Sequence, residues 1–203
     1  MKLSKSFWAV LVIVIILITD QALKIWVKTN MLLGEEILIT SWFRLHFVEN
    51  SGMAMGIEVI GKLFLSIFRI IASIALIYYL YRLIKRNFSL GYIICASIIF
   101  AGAVGNIFDS VFYGVIFNES TPFQVAALFP PGGGYGTWLH GKVVDMFYFP
   151  LFKFDWPSWL PWIGGKEFVF FQYIFNVADA SISVGMVVLL LFYRKTLSAS
   201  FEK

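Results

Sequence analysis

The chain has 203 residues, of which 60% are hydrophobic and 14% charged, against about 45–50% and about 25% in soluble domains. With a mean hydropathy of +0.82 and 22 Phe, 9 Tyr and 7 Trp, it must bury apolar surface in lipid or in a core, which excludes an ordinary cytosolic globule, a disordered chain and a free nucleic-acid binder. The net charge of +4 falls in short clusters between long apolar runs, the pattern of membrane orientation, and the single cysteine, Cys95, excludes an intramolecular disulfide or a cysteine cluster for zinc.

A transmembrane helix needs about 20 mostly apolar residues, and four segments qualify, at about 7–27, 64–84, 90–113 and 168–193. The first follows Lys2 and Lys5 as a signal peptide would, but Asp20-Gln21-Ala22-Leu23-Lys24 offers no small-residue cleavage site, so it is read as a retained span. Trp8 and Trp26 lie about 27 Å apart along such a helix, which suits opposite interfacial belts. The outer segment 28–63 contains Ile37-Leu38-Ile39-Thr40 and the alternating Phe43-Arg44-Leu45-His46-Phe47-Val48, which predict a small sheet at the membrane surface. Arg69, early in the second span, reads as a headgroup contact.

Arg82, Lys85 and Arg86 lie at the end of that span, and Arg194, Lys195 and Lys203 follow the last. With Lys2 and Lys5 they place both termini and the 85–89 turn in the cytoplasm. The second outer segment, 114–167, is punctuated by Pro130-Pro131-Gly132-Gly133-Gly134 and carries Trp138, Trp156, Trp159 and Trp162, a composition suited to a layer in the headgroups. No repeat or linker divides the chain. The expected architecture is one all-α integral membrane domain over 1–203, with four spans, a small extracytoplasmic sheet and an aromatic interfacial loop region.

An acid inside the bilayer is expensive and is a functional candidate by default. Asp20, Asp109 and Asp179 fall within the spans, at depths of about 20, 28 and 21 Å from the cytoplasmic edge, so all three share the outer third. Asp20 has Lys24 at i+4 on its own face, which predicts an ion pair. Asn106 and Asn176 precede Asp109 and Asp179 by three residues, placing an amide and a carboxyl together on each helix. Asp145, at the end of Val143-Val144, can enter the same layer from outside. Two carboxyls brought close share a proton and activate water, as in an aspartic protease; the same acids could instead line a proton or cation path. The cytoplasmic halves of the spans, such as 11–17 and 186–191, are apolar, which argues against a path through. His46 and His140 lack metal-ligand spacing, and Cys95 reads as a packing residue.

Five blocks in order, Asp20-Gln21-Ala22-Leu23-Lys24, Asn50-Ser51-Gly52-Met53-Ala54-Met55, Gly105-Asn106-Ile107-Phe108-Asp109, Val143-Val144-Asp145 and Phe175-Asn176-Val177-Ala178-Asp179-Ala180, resemble those of lipoprotein signal peptidase (signal peptidase II). The resemblance implies that Asp145 and Asp179 are the catalytic dyad, a choice over Asp109 that depth alone does not make. It assigns Asp20, Lys24, Asn50, Gly52, Gly105, Asn106, Asp109, Asn176 and Ala178 to the site's support. It further implies a bacterial inner-membrane endopeptidase with its site near the outer face. The expected substrate is a diacylated prolipoprotein cut on the N-terminal side of its lipidated Cys, met in the membrane lipid by a monomer that needs no metal or organic cofactor. The chain departs from the family's pattern at Ser110, where Arg is usual, at Met55, where Phe is usual, and in the length of 111–142 and 150–167.

Overall fold

A computed structural model describes residues 3–51 and 61–202. The expected block 50–55 therefore lies outside the described residues beyond Ser51, Gly52 and Met55 included. Helix α1 (Lys5–Asn30), α2 (Lys62–Lys85) and α3 (Leu90–Phe108) follow the first three predicted spans. Ser4 starts α1 by accepting from Phe7 N. The central helix is α3: 56% of its most apolar stretch is buried, against 17% for α1 and α2, which turn Val10, Ile18, Phe68, Ile71 and Ile74 outward as lipid-facing surface requires.

At its C-terminal end α3 widens into a π-helical turn over Asp109–Tyr113 and one last turn, α4 (Gly114–Ile116). Such an end strands carbonyls that lipid cannot satisfy, and the long following segment supplies their donors. Leu139 N donates to Val111 O (3.2 Å), Gly141 N to Ser110 O (2.9 Å), Gly136 N to Gly114 O (2.8 Å), and Phe129 N to Ile116 O (2.7 Å). A Cβ at Gly141 would run into the Asp109 carbonyl, so only glycine permits this approach.

The four-stranded sheet has the order β1-β2-β3-β6, from β1 (Glu36–Thr40), β2 (Phe43–Asn50), β3 (Val143–Tyr148) and β6 (Ile174–Phe175). The first two strands lie where alternation predicts them. In β2 and β3, Val48 pairs with Asp145, Glu49 with Val144 and Asn50 with Val143, which brings Asn50 and Asp145 to one end of the sheet. Val143 through Met146 are buried, and Val144 and Met146 join a core with Val27, Phe47, Tyr113 and Phe117. A separate ribbon pairs β4 (Phe152–Asp155) with β5 (Glu167–Phe170), holding Phe152 stacked on Phe170 at 4.6 Å.

The fourth span differs from the expectation. Residues 168–175, apolar enough to read as helix, are strand and loop, and α5 (Val177–Phe192) starts only after Asn176. Asn176 accepts from Asp179 N while Asp179 accepts from Asn176 N, a capping box that fixes the start. The two Asn-x-x-Asp patterns are therefore unlike: Asn106 is inside a helix, Asn176 precedes one. The 16-residue α5 is about 24 Å long, and α6 (Arg194–Phe201) bends from it by 90°. Among the described residues, three helices are long and apolar enough to cross a membrane, or four if α5 with α6 counts as one span. The other end of the bundle gathers the termini. Lys5 Nζ donates to Phe88 O (2.6 Å), and Arg86 Nη1 to Ser200 O (3.1 Å). Cys95 packs there in the apolar core, with its thiol on Gly185 O.

Candidate active site

The site is built around a buried ammonium. Lys24 Nζ lies 2.9 Å from Asp20 Oδ2 and 2.8 Å from Asp109 Oδ2, and donates to Asn106 Oδ1 at 2.9 Å. Its three donors are thereby used, and the i+4 pair predicted from α1 becomes one edge of a larger cluster. Lys24 and Asp109 are fully buried and Asp20 is 1% exposed. A cation so placed is tolerated only with this pairing.

Asp20 also accepts from Ala178 N (2.9 Å), which satisfies an orphan donor in the first turn of α5. Gly105 of α3 packs against both partners of this bond, where a Cβ would lie 2.7 Å from Asp20 Oδ2 and 3.2 Å from the Ala178 Cβ. Asp109 accepts further from Gln21 Nε2 (2.9 Å) and from Val144 N (3.3 Å), so it ties α1, the π turn and β3 together. With every face bonded, Asp109 has the surroundings of a structural carboxylate.

Asp145 and Asp179 are held differently. Asn106 Nδ2 donates to Asp179 Oδ1 (2.8 Å), so Asn106 links Lys24 to Asp179. Asn176 Nδ2 donates to Asp145 Oδ1 at 2.6 Å, to Asn106 Oδ1 at 3.1 Å and to Val144 O at 3.2 Å, while its backbone N donates to Asp179 Oδ2 at 3.3 Å. One asparagine thus joins both carboxyls. Asn50 adds a hydrogen bond to Asp145 from the sheet. Burial pushes the Asp145 carboxyl up to about 7, with the Asp179 charge as the second cause, against the pull of Asn176, Lys24 and Asn50. Of the two acids Asp145 is buried and Asp179 half-buried. Asp179 opens into a cavity of about 470 Å³ lined by Phe171, Tyr173, Phe175 and Ser183. A cavity of about 540 Å³ near Tyr79, Leu189 and Phe201 is larger but contains no acid, so the chemistry belongs with the smaller one.

The structure therefore brings together Asp20, Lys24, Asn50, Gly105, Asn106, Asp109, Asp145, Asn176, Ala178 and Asp179. Four neighbours were not among the site residues expected from the sequence. Gln21 bridges Asp20 and Asp109, and Tyr113 donates to Gln21 Oε1. Ser110 donates to Asn106 O (2.9 Å) and accepts from Arg69 Nη1 (3.0 Å). Arg69, read from sequence as a headgroup contact, turns inward: α2 is lipid-facing on its other sides, and the acids attract the charge. The polarity of Gln21, Ser110 and Tyr113 beside Asp20 and Asp109 was the available signal. A second charged cluster lies under the sheet, where buried Lys28 bonds Glu49 and Ser120 and Lys142 Nζ lies 3.2 Å from Glu49 Oε2.

The family described as signal peptidase (SPase) II matches residues 12–194. Lipoprotein signal peptidases of two Porphyromonas gingivalis strains are each 57% identical over 187 residues, 92% of this chain and 82% of theirs. The lipoprotein signal peptidase of Amoebophilus asiaticus is 34% identical over 209 residues, 99% of this chain and 84% of its own. Two solved structures of a bacterial membrane enzyme, obtained by the in meso method at 2.3 and 1.9 Å resolution, superpose with TM-scores of 0.62 and 0.59. Their identities are 26% and 27%, with 96% and 91% of this chain and 92% and 93% of theirs covered. A match of this extent leaves the transport alternative without support, and the chain belongs to the signal peptidase II family.

Proposed function

We propose Asp145 and Asp179 as the catalytic pair with which this aspartic-type membrane peptidase removes the signal peptide from prolipoproteins. The observation that carries the assignment is their convergence on Asn176, with Asn106 connecting Asp179 to the Lys24 cation. One carboxyl, ionised, takes a proton from water as the water attacks the scissile carbonyl. The other, protonated, donates to the carbonyl oxygen, and collapse of the tetrahedral adduct delivers a proton to the leaving amine. The raised Asp145 carboxyl suits the proton-bearing role, although the pair titrates as a unit. Asp20, Lys24 and Asp109 hold the helices around it, and Gly52 belongs to the supporting set by the same family pattern.

The substrate carries diacylglycerol on the Cys that follows the cut. Each buried CH₂ favours lipid by about 0.8 kcal/mol, so the substrate arrives by lateral diffusion and the enzyme has only to place one peptide bond at the acid layer. The aromatic cavity beside Asp179 faces that route. The enzyme is a single domain that works as a monomer in the bacterial inner membrane, with its termini cytoplasmic and its acid layer near the outer face. Exposed Trp159 and Trp162 on the β4–β5 connection anchor that face in headgroups. The test is cleavage by purified protein in nanodiscs of paired lipidated and non-lipidated peptides with one lipobox. Cleavage confined to the lipidated form, on the N-terminal side of the Cys, is expected; equal rates for both refute lipid anchoring.

A further inference from the structure

The acid layer holds more negative charge than its one buried lysine balances. Asp20, Asp109, Asp145 and Asp179 provide four carboxyls. Lys24 is committed to Asp20, Asp109 and Asn106, so its charge is spent on the structural acids first. Arg69 comes from α2, seven residues after the helix begins at Lys62, in a stretch whose neighbours Phe68 and Ile71 face outward. An arginine at such a position is costly unless it faces protein. Its Nη1 is held on Ser110 Oγ at 3.0 Å, Ser110 is in turn fixed on Asn106 O, and the guanidinium lies within electrostatic reach of Asp179, Asp109 and Asp145. Ser66, one turn earlier, donates to Leu139 O at 2.8 Å, so this end of α2 is docked against the loop that closes the π turn.

We propose that Arg69 is a positioning residue for the cleavage reaction: held on Ser110, it supplies the acid layer with a second positive charge and keeps the Asp145–Asp179 pair in the singly ionised form that cleavage needs. The proposal rests on the reading of that pair as catalytic. Every element around Asp145 contributes a charged or polar group to the balance: Lys24 and Asp20 from α1, Arg69 from α2, Asp109 from the π turn and Asp179 from α5, with Asn50 from β2 and Asn176 before α5. Glu49, Lys28 and Lys142 pair among themselves beneath the sheet. A planar guanidinium that never deprotonates is suited to this task because its charge is constant over the working pH range.

The experiment is the pH–rate profile of purified protein in detergent with a diacylated lipobox peptide, compared among parent, Arg69→Gln, Arg69→Lys and the exchange Arg69→Ser with Ser110→Arg. Removing a cation makes the pair harder to ionise. The Gln variant's profile should therefore move to higher pH by about one unit, with kcat falling about tenfold on the acid limb and KM nearly constant. The Lys variant and the exchange, which keep a charge at the site, should return the profile to that of the parent. Should the Gln variant not fold, the exchange decides alone: a parental profile supports the proposal and a displaced one overturns it. A folded Gln variant whose profile coincides with the parent's overturns it too, as does a Lys variant displaced as far as Gln. Asp145→Asn, run in parallel, separates the two readings. If it still cleaves, the pair is wrong; if it is inactive and Arg69→Gln is unmoved, only the role of Arg69 falls.

Discussion

Replacing Asp145 with Asn should make the protein more stable and inactive at once. Asp145 is 5% exposed, and burial, reinforced by Asp179, pushes its carboxyl from an ordinary 3.8 to about 7. A carboxyl whose pKa rises on folding favours the fold while protonated. Its contribution is complete below about pH 4 and is lost as the pH rises through about 7. A rise of about three pH units, at about 1.4 kcal/mol each, corresponds to about 4 kcal/mol of lost stability by alkaline pH. Water reaching half-buried Asp179 lowers the figure to roughly 2–4 kcal/mol. Asn carries no charge to desolvate, so Asp145→Asn should melt roughly 5–10 °C above the parent near pH 8.5 and close to it near pH 4. Cys95, the single cysteine, is buried, so thermal unfolding in detergent can be followed by its labelling with a fluorogenic maleimide. A variant no more stable than the parent near pH 8.5, or equally stabilised near pH 4, refutes the reasoning.

Asp20→Asn removes a charge from the buried Lys24 and weakens the acceptor of Ala178 N. It should cost about 3 kcal/mol, read as a lower melting temperature, with residual cleavage in the folded fraction. Gly105→Ala places a Cβ 2.7 Å from Asp20 Oδ2 and should cost about 1–3 kcal/mol in the same assay. The Glu49 side chain is 3% exposed, but the Lys28 charge and hydrogen bond, with Ser120 and Lys142, outweigh burial and hold its carboxyl below the usual range. Its stabilisation is therefore present at neutral pH and is lost as the pH falls through that lowered value. Glu49→Gln should cost about 3–5 kcal/mol at neutral pH, a deficit that narrows in acid. Alanine at Trp156, Trp159 and Trp162 together should lower catalytic efficiency without moving the cleaved bond; mass spectrometry of the product shows whether the register has shifted.

The first three spans and the strands around Ile37–Thr40 were legible because each has a clean period or an uninterrupted apolar run. The fourth span was misread at its start because Phe168–Phe175 is apolar in either conformation, and hydropathy does not tell a buried strand from a helix. The decisive local signal was Asn176 three residues before Asp179, which is a capping pattern as well as a helix face. Depth along each helix placed Asp20, Asp109 and Asp179 in one layer, but could not rank Asp109 against Asp145. That distinction comes from bonding: Asp109 meets Lys24, Gln21 and a backbone N–H, whereas Asp145 has asparagine donors and a raised carboxyl. The role of the long segment after Tyr113 was illegible for a different reason. It acts through backbone N–H groups on the open end of α3, and side-chain identity records little of that.

The central claim is that Asp145 and Asp179 carry out cleavage while Asp109 holds the fold, and single-turnover cleavage of a diacylated prolipoprotein tests it most directly. Parent, Asp145→Asn and Asp179→Asn would be reconstituted in nanodiscs, with melting temperatures confirming that each is folded. Both variants should lose cleavage by at least about 10³-fold. A folded Asp145→Asn or Asp179→Asn variant that releases mature lipoprotein at a near-parental rate would contradict the assignment.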